Sequence, residues 1–253
     1  FQLLCTVERV PVSAAVRGLE AIARSAEYVK VWWLPHARHA YVYRYERTRL
    51  PSSPWPARVR WVEDHLVHAH VFPAVVALEG RAPRLVPAVN WLVGPTLTHG
   101  PRVAPSALAL STPMPFVHRE TEAAVPLARA SEAFERLVPL LLGRAHHVNM
   151  PVELRFVPAD DAWLSPAHGA DTCQVGVYAG GVPGIDETFA AFWRVMRELP
   201  ARPHWGKELA RVGHDAEELA PLYPRLAELQ ALRAELDPDR VFESPFLQRV
   251  LPP

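Results

Sequence analysis

One stretch of the sequence places an acid and a base where they would share a pocket. The segment PVELRFV (151–157) alternates apolar and charged residues. Because side chains alternate faces along a strand, Glu153 and Arg155 point to one side and the apolar residues to the other. A neighbouring guanidinium keeps a carboxylate ionised and oriented. Such a pair can bind the hydroxyl groups of a sugar-like ligand; a solvated strand face with a weak surface ion pair is the structural alternative.

A second segment, PHWGK (203–207), gathers an imidazole, an indole and an ammonium around a flexible glycine. His204 could take part in proton transfer, and Lys207 could stabilise a negative charge. A reduced flavin carries such a charge, and cofactor enzymes commonly place a positive group beside it. The structural alternative is the start of a helix, with Trp205 buried in aromatic packing.

Other polar groups predict structure rather than chemistry. Asp160 and Asp161 supply too few ligands for a dedicated metal site, so a structural turn is expected there. Of the three nearby histidines His65, His68 and His70, only the spacing of the first two suits one helical face, and no HExxH pattern occurs. We therefore predict no metal site. The segment GGVPG (180–184) is not a phosphate loop and predicts a turn.

Hydrophobic periodicity indicates the elements that must position these residues. Strands are expected at 2–10, 28–34, 40–47, 116–125, 150–157 and 172–179. Helices are expected at 12–26 with a Ser13 cap, at 58–79 with a break near Pro73, and at 84–93, 131–142, 185–199 and 216–236. The tail from Asp237 reads as irregular. This alternation predicts an α+β fold with a largely antiparallel sheet flanked by helices.

Composition narrows the classes of partner and the compartment. The 27 basic and 27 acidic residues cancel, which argues against nucleic-acid binding. Two cysteines make no disulfide framework, so a reducing, cytoplasmic location is expected. Neither of the helices expected at 58–79 and 84–93 contains the roughly 18–20 uninterrupted apolar residues that a membrane span needs. Membrane-surface contact stays an alternative. The first residue is Phe1, which suggests a missing upstream segment.

The sequence closely resembles the C-terminal region of the aldonolactone oxidase family. The resemblance rests on VELRFVPADDAWLSP, RPHWGK and LYPRLAELQALRAELDPDRVFESPFLQRV, with support from VKVWWLPHARHAYVYRYERT and HRETEAAVPLARASEAFERL. It implies a fold of the vanillyl-alcohol oxidase type, in which one domain binds FAD and a C-terminal cap domain binds substrate. Residues 1–253 match only the cap. The FAD-binding domain is therefore expected outside this chain, in the same or a partner polypeptide.

The resemblance also implies roles for single residues on the substrate side. Glu153 and Arg155 are expected to contact substrate hydroxyls, and Glu120 to add a further polar contact. Alditol oxidases of this family resemble the chain less closely. They carry a histidine at a position that falls near Gly176 in this sequence, which has no histidine there. That departure favours a lactone over a linear polyol.

On the cofactor side, the resemblance places His204 and Lys207 as catalytic groups beside the flavin ring and the reacting carbon. Trp205 and Ser244 are expected to complete the contacts with the cofactor. The tail departs from the pattern of the family, since Arg240 replaces a glycine and Ser244 an asparagine. This departure weakens the case for a contact between the tail and the flavin.

The implied function is the substrate-binding part of an FAD-dependent oxidase of D-arabinono- or L-gulono-1,4-lactone type. Such an enzyme oxidises a secondary alcohol, passes hydride to the flavin and uses oxygen as acceptor. Two alternatives stay open at this point. The chain could belong to an oxidase of linear alditols, or it could be a free-standing binding domain that has lost its chemistry.

Overall fold

The computed structural model describes residues 1–53, 66, 70–111, 117–209 and 214–252. In these residues the chain builds one eight-stranded sheet. The strands are β1 (Gln2–Pro11), β2 (Tyr28–Trp33), β3 (His39–Thr48), β4 (Arg102–Pro105), β5 (Arg119–Pro126), β6 (Val152–Val157), β7 (Thr172–Ala179) and β8 (Arg202–Pro203). The described helices are α1 (Val12–Arg17), α2 (Leu19–Ala23), α3 (Phe72–Arg81), α4 (Val86–Val93), α5 (Ser106–Ala109), α6 (Ala130–Leu141), α7 (Ile185–Arg197), α8 (Ala216–Leu219), α9 (Leu226–Leu236) and α10 (Pro245–Val250).

The sheet consists of two half-sheets that come from the two halves of the chain. Its strand order is β4-β1-β3-β2-β6-β7-β5-β8, and all adjoining strands are antiparallel. The first four strands meet the last four only where β2 pairs with β6. At this junction, which we call the seam, Lys30 lies opposite Arg155 and Trp32 lies opposite Glu153.

The core lies between one face of the sheet and the helices α1, α2, α6 and α7. Strand β2 shows why: its residues are alternately buried and half-buried, so that only every second side chain enters the core. Trp33 from this strand meets Phe134 of α6 edge to face, with ring centroids 5.6 Å apart. Burying a side chain of this size stabilises the fold by roughly 1.5–3 kcal/mol. The opposite face carries a second, smaller cluster of buried residues on β1 and β3 (Leu3, Cys5, Tyr41, Tyr43 and Tyr45) and, on β2 and β6, polar side chains.

The predicted α+β class and antiparallel sheet are confirmed, and the expected strands lie within a few residues of the observed ones. The helix expected at 12–26 is wrong as one element, because it breaks at Gly18 into α1 and α2. The proposed Ser13 cap is also wrong: Val12 already begins α1, and no side chain caps it. The helix expected at 58–79 falls partly outside the described residues, as do His65, His68 and the first residue of the strand expected at 116–125.

The C-terminal quarter differs most from the expectation. The single helix expected at 216–236 is wrong: α8 is followed by a 3-10 turn, and Tyr223 is extended before Pro224. A residue before proline avoids the helical region, which explains the break. The tail is not irregular throughout, since Ser244 caps α10 by accepting a hydrogen bond from the Leu247 amide at 3.2 Å.

The proline-rich stretch contributes β4, which the periodicity did not predict. β4 pairs with β1 and is held by two hydrogen bonds between Ser53 and Val103, each 2.8 Å long.

On α4, Trp91 and Leu92 are 57% and 69% exposed. Within the described residues, no helix combines the length and the apolar character that crossing a membrane requires. Contact with a membrane surface stays an alternative.

Candidate active site

A cleft of about 770 Å³ opens on the polar face of the sheet, over the seam. Its volume lies in the range of small-molecule sites, roughly 300–1,000 Å³. Lys30 and Trp32 of β2, Glu153 and Arg155 of β6, and His204 beyond β8 are among the residues that line it. The cleft therefore takes side chains from both half-sheets and gathers four of the residues that the sequence indicated: Glu153, Arg155, His204 and Trp205.

Glu153 is held at the cleft by donors on three sides. Trp32 Nε1 donates to one carboxylate oxygen at 2.8 Å, and the Tyr178 hydroxyl donates to the other at 3.1 Å. Arg155 Nε lies 3.5 Å from the same side chain. The predicted sharing of one strand face by Glu153 and Arg155 is confirmed, while Val152 and Leu154 are fully buried in the core. The carboxylate is thus fixed in one orientation.

Arg155 is anchored by a carboxylate that the sequence did not single out. Its Nη2 donates to both oxygens of Glu122 at 2.8 and 2.7 Å, and Glu122 is only 2% exposed. Burial lowers the pKa of Arg155, but the charges of Glu122 and Glu153 more than offset this and raise it overall. The alternation in RETE (119–122) placed Glu122 on the same face as Glu120, and this was the signal available for finding it.

Lys30 is a second residue that sequence reasoning missed. Its ammonium lies 4.0 Å from the centroid of the Trp32 ring and 5.1 Å from that of Tyr43. Burial lowers the pKa of Lys30, and the charge of Glu153 partly opposes this shift. Alternation along YVKVWW (28–33) puts Lys30 on the same strand face as Trp32, which could have revealed it.

Gly176 makes room for the ring of Tyr178. It lies opposite both Glu153 and Glu122 in the sheet, at the centre of the polar face. A Cβ atom at position 176 would meet a ring carbon of Tyr178 at 2.8 Å, closer than real side chains approach. The absence of a side chain here therefore permits the ring to lie across the strand, from which its hydroxyl reaches Glu153.

The HWGK segment divides its side chains between the cleft and the protein interior. His204 lines the cleft, and its Nδ1 accepts a hydrogen bond from the Gly206 amide at 3.1 Å. Trp205 also borders the cleft, but its Nε1 donates to the Leu164 carbonyl at 2.9 Å and its ring packs 5.3 Å from that of Tyr223. Trp205 therefore shows the predicted aromatic packing while its contact with a cofactor stays a prediction, and His204 keeps an accessible ring edge.

Lys207 and Glu120 form an ion pair of 2.5 Å beside the cleft, and neither is among the described residues that line it. The Lys207 ammonium lies 5.9 Å from the centroid of the Tyr178 ring, which connects this pair to Glu153. Backbone bonds from His204 to Glu122 and from Glu208 to Glu120, 3.0 and 3.1 Å long, tie the segment to β5.

Comparison with known proteins places this arrangement in a family. The family model described as D-arabinono-1,4-lactone oxidase matches residues 1–250. The chain belongs to the D-arabinono-1,4-lactone oxidase family. It is 27% identical to an L-gulono-1,4-lactone dehydrogenase of Mycobacterium tuberculosis, over 97% of this chain and 56% of the relative. It is 30% identical to an alditol oxidase of a Streptomyces species, over 93% of this chain and 54% of the relative.

The chain spans about half the length of these family relatives. Among solved structures, a cholesterol oxidase of Brevibacterium sterolicum superposes with a TM-score of 0.72 at 15% identity. That match covers 100% of this chain and 60% of the cholesterol oxidase chain. At this identity the likeness shows a shared fold, and it supports the α+β interpretation.

The remaining residues singled out from the sequence lie apart from the cleft of this family member. Ser244 caps α10 and is not among the described residues that line the cleft. Asp160 organises a turn, as expected, by accepting hydrogen bonds from the Ala162 amide at 3.0 Å and the Ser165 hydroxyl at 2.5 Å. Within the described part of the chain, no group of three or more side chains could hold a metal ion.

Proposed function

We propose that this chain is the substrate-binding cap domain of an FAD-dependent oxidase of sugar-1,4-lactones, of D-arabinono- or L-gulono-1,4-lactone type. One observation carries the proposal: Glu153 and Arg155 stand side by side at the cleft, each fixed by its own partners. The family membership and the relatives named for lactone chemistry support the same class of substrate.

The fixed pair is suited to hydroxyl groups because it offers both an acceptor and a donor. An ionised carboxylate has about four lone-pair sites, and the Trp32 and Tyr178 bonds to Glu153 use two of them. The oxygens of Glu153 can therefore accept from substrate hydroxyls. Arg155 gives only Nη2 to Glu122, so other N–H groups of its guanidinium can donate to substrate oxygens. Adjacent hydroxyls of a sugar need this combination.

His204 acts as a hydrogen-bond donor in this site rather than as a base. Because Nδ1 accepts from the Gly206 amide, the proton of the neutral ring lies on Nε2. Nε2 can then donate to a substrate or cofactor oxygen. Proton transfer, the other role expected for His204, would require the ring to give up its bond to Gly206.

The residues in the described ranges fit the ring end of a flavin and not its phosphate end. The polar face offers the donors Lys207 and His204 at its β8 edge, and FAD supplies the hydride acceptor when bound. The glycine-rich turn at 180–184 is closed by Asn149, which exchanges hydrogen bonds of 3.0 Å with the backbone of Gly180. We therefore place the FAD-binding domain outside residues 1–253, and we expect the isolated chain to purify colourless.

Glu120 modifies the role expected of Lys207. The 2.5 Å ion pair balances the positive charge of Lys207, so the pair offers a directed donor with little net charge. We propose that Lys207 contacts the flavin and that Glu120 orients it, rather than contacting substrate itself. Ser244, which the resemblance placed near the cofactor, would act only through a surface shared with the FAD-binding domain.

The decisive experiment compares Glu153→Gln with the parent in the flavin-loaded enzyme. Losing a charged hydrogen-bond acceptor in the site costs about 1.5–3 kcal/mol, so kcat/KM for the lactone should fall at least about tenfold. Peroxide production and direct lactone binding are measured together. Glu198→Gln, an exposed change at a surface ion pair, is the matched control and should leave both unchanged. An unchanged kcat/KM in Glu153→Gln would refute the proposal.

Linear alditols are the second candidate substrates, favoured by the 30% identity to an alditol oxidase. Tyr178 argues for the lactone. Alditol oxidases of this family carry a histidine near position 176, and in this chain the ring of Tyr178 occupies the space that such a side chain would need. Faster oxidation of alditols than of lactones would reverse this order. If the flavin-loaded enzyme oxidised neither, the inactive binding domain would be the better description.

A cytoplasmic location stays a prediction, which cell fractionation would test.

A further inference from the structure

The chain contains only two lysines among its 27 basic residues, and both lie on the polar face of the sheet. All 25 others are arginines. A lysine ammonium is a compact donor on a flexible stem, whereas a guanidinium is planar and broad. Lys30 therefore supplies a point charge at the seam, where it sits against the rings of Trp32 and Tyr43.

Lys30 also differs from its neighbours, because it has no carboxylate partner among the residues that the structure describes. Lys207 is paired with Glu120, and Arg155 is paired with Glu122. In the parts of the chain that the structure describes, no carboxylate oxygen lies within 4.0 Å of Lys30 Nζ, and no hydrogen-bond acceptor is assigned to it. An ammonium carries three donors and no acceptor. Three donors at a cleft with no assigned acceptor call for an oxygen from the ligand.

The register of the seam sets what Lys30 can reach. Lys30 lies opposite Arg155, and Trp32, on which the ammonium rests, lies opposite Glu153. Lys30 and Glu153 are thus diagonal neighbours across the seam, and such neighbours lie about 7–8 Å apart, a gap that a sugar with oxygens on adjacent carbons can bridge. A ligand with a hydroxyl group on Glu153 thus brings its next oxygen within reach of Lys30. An oxygen that can only accept complements a group that can only donate.

We propose that Lys30 binds the carbonyl oxygen of the lactone and, more tightly, the carboxylate of the open-chain aldonate. The substrate class rests on the proposed function, but the binding step needs no flavin. Carbon 1 of a lactone or aldonate carries an acceptor-only oxygen, whereas carbon 1 of an alditol carries a hydroxyl group. Lys30 therefore makes the cleft favour lactones over alditols. It also makes the hydrolysed lactone a competitor for the site.

Two lysines make a direct measurement simple. In the chain labelled with ¹³C at the lysine ε-carbons, NMR shows two signals, assigned by their loss in Lys30→Met and Lys207→Met. The probes are L-gulono-1,4-lactone, the corresponding aldonate and the corresponding alditol. The Lys30 signal should shift most with the aldonate, less with the lactone and least with the alditol. A Lys30 signal that none of the three moves, or that the alditol moves as far as the aldonate, would overturn the proposal.

Affinities of the variants provide the second measurement. Lys30→Met keeps an unbranched apolar side chain on Trp32, so the fold should persist, as the unchanged indole NMR signals would verify. We expect at least a tenfold loss of affinity for the aldonate, a smaller loss for the lactone, and a change within twofold for the alditol. Lys30→Arg should recover part of the aldonate affinity. Equal losses for all three probes would show a merely structural role and contradict the proposal.

These measurements separate the present inference from the proposed function. If the flavin-loaded enzyme fails to oxidise lactones while Lys30 responds to the aldonate, the proposed function is wrong. The role of Lys30 in binding the carbonyl or carboxylate oxygen, here called the carbonyl site, then stands. If the enzyme oxidises lactones and Lys30→Met leaves kcat/KM for lactone and inhibition by aldonate unchanged, the carbonyl site is wrong. The two proposals thus fail on different results.

Discussion

The pair formed by Arg155 and Glu122 allows a quantitative test of how the site is held together. Glu122 is almost fully buried, and the two bonds from Arg155 are the side-chain hydrogen bonds found to its carboxylate in the described structure. Removing one partner of a buried pair and leaving the other charge behind costs about 3–5 kcal/mol. Arg155→Met should therefore destabilise the chain by about this amount. At about 2–4 °C per kcal/mol for a chain of this size, Tm should fall by roughly 6–20 °C.

The reverse substitution should be milder, because Arg155 is half-exposed and water can replace its lost partner. Glu122→Gln should destabilise the chain by only about 1–2 kcal/mol. The double variant, which leaves no charge buried, should be more stable than Arg155→Met alone. Urea unfolding and thermal unfolding of the four proteins measure this cycle. Equal losses for the two single variants, with no recovery in the double variant, would refute the view that Arg155 neutralises a buried charge.

Three further predictions concern other described residues. Burial raises the pKa of Glu79 to about 7, so the folded chain favours the protonated carboxyl. The stability of the fold therefore falls as the pH rises from the ordinary pKa of a glutamate towards 7. Glu79→Gln should match the parent near pH 4 and exceed it near pH 8 by up to about 3 kcal/mol, as Tm measurements would show. Gly176→Ala should displace Tyr178, destabilise the chain by about 1–3 kcal/mol and weaken lactone binding, whereas Gly100→Ala, with open space around it, should change neither Tm nor binding. Lys207→Met should lower the reduction potential of the bound flavin, which an anaerobic titration against reference dyes measures, and an unchanged potential would remove Lys207 from the flavin.

Period-2 alternation was enough to predict the polar face of β6, because the pattern itself states which side chains share a side. The same alternation places Lys30 on the polar face of β2 and Glu122 on the polar face of β5. However, nothing in the sequence of either strand indicates that it lies close to β6. That information belongs to strand order, which pairs Lys30 with Arg155 across a separation of more than a hundred residues. Contacts of this kind depend on tertiary packing, which a local pattern does not carry.

The predicted ends of helices are wrong where proline or glycine interrupts a helical pattern. Apolar spacing runs through Gly18 and through Pro221 to Pro224, yet the backbone turns at both places. Trp205 shows a different limit. Its indole could serve a cofactor or pack internally, and only the position of the Leu164 carbonyl shows that it packs, while its contact with a cofactor stays a prediction.

The seam has a consequence for how this family could change its substrate. Each half-sheet comes from a contiguous half of the chain, and both line the cleft, so a ligand there would touch both. A bound sugar would then act as a clamp between two modules, and it should raise Tm even without cofactor. Recombining the N-terminal half of one relative with the C-terminal half of another would exchange Lys30 and Trp32 while keeping Glu153 and Arg155 in place. Hybrid proteins of this kind would offer one half of the recognition surface to selection at a time.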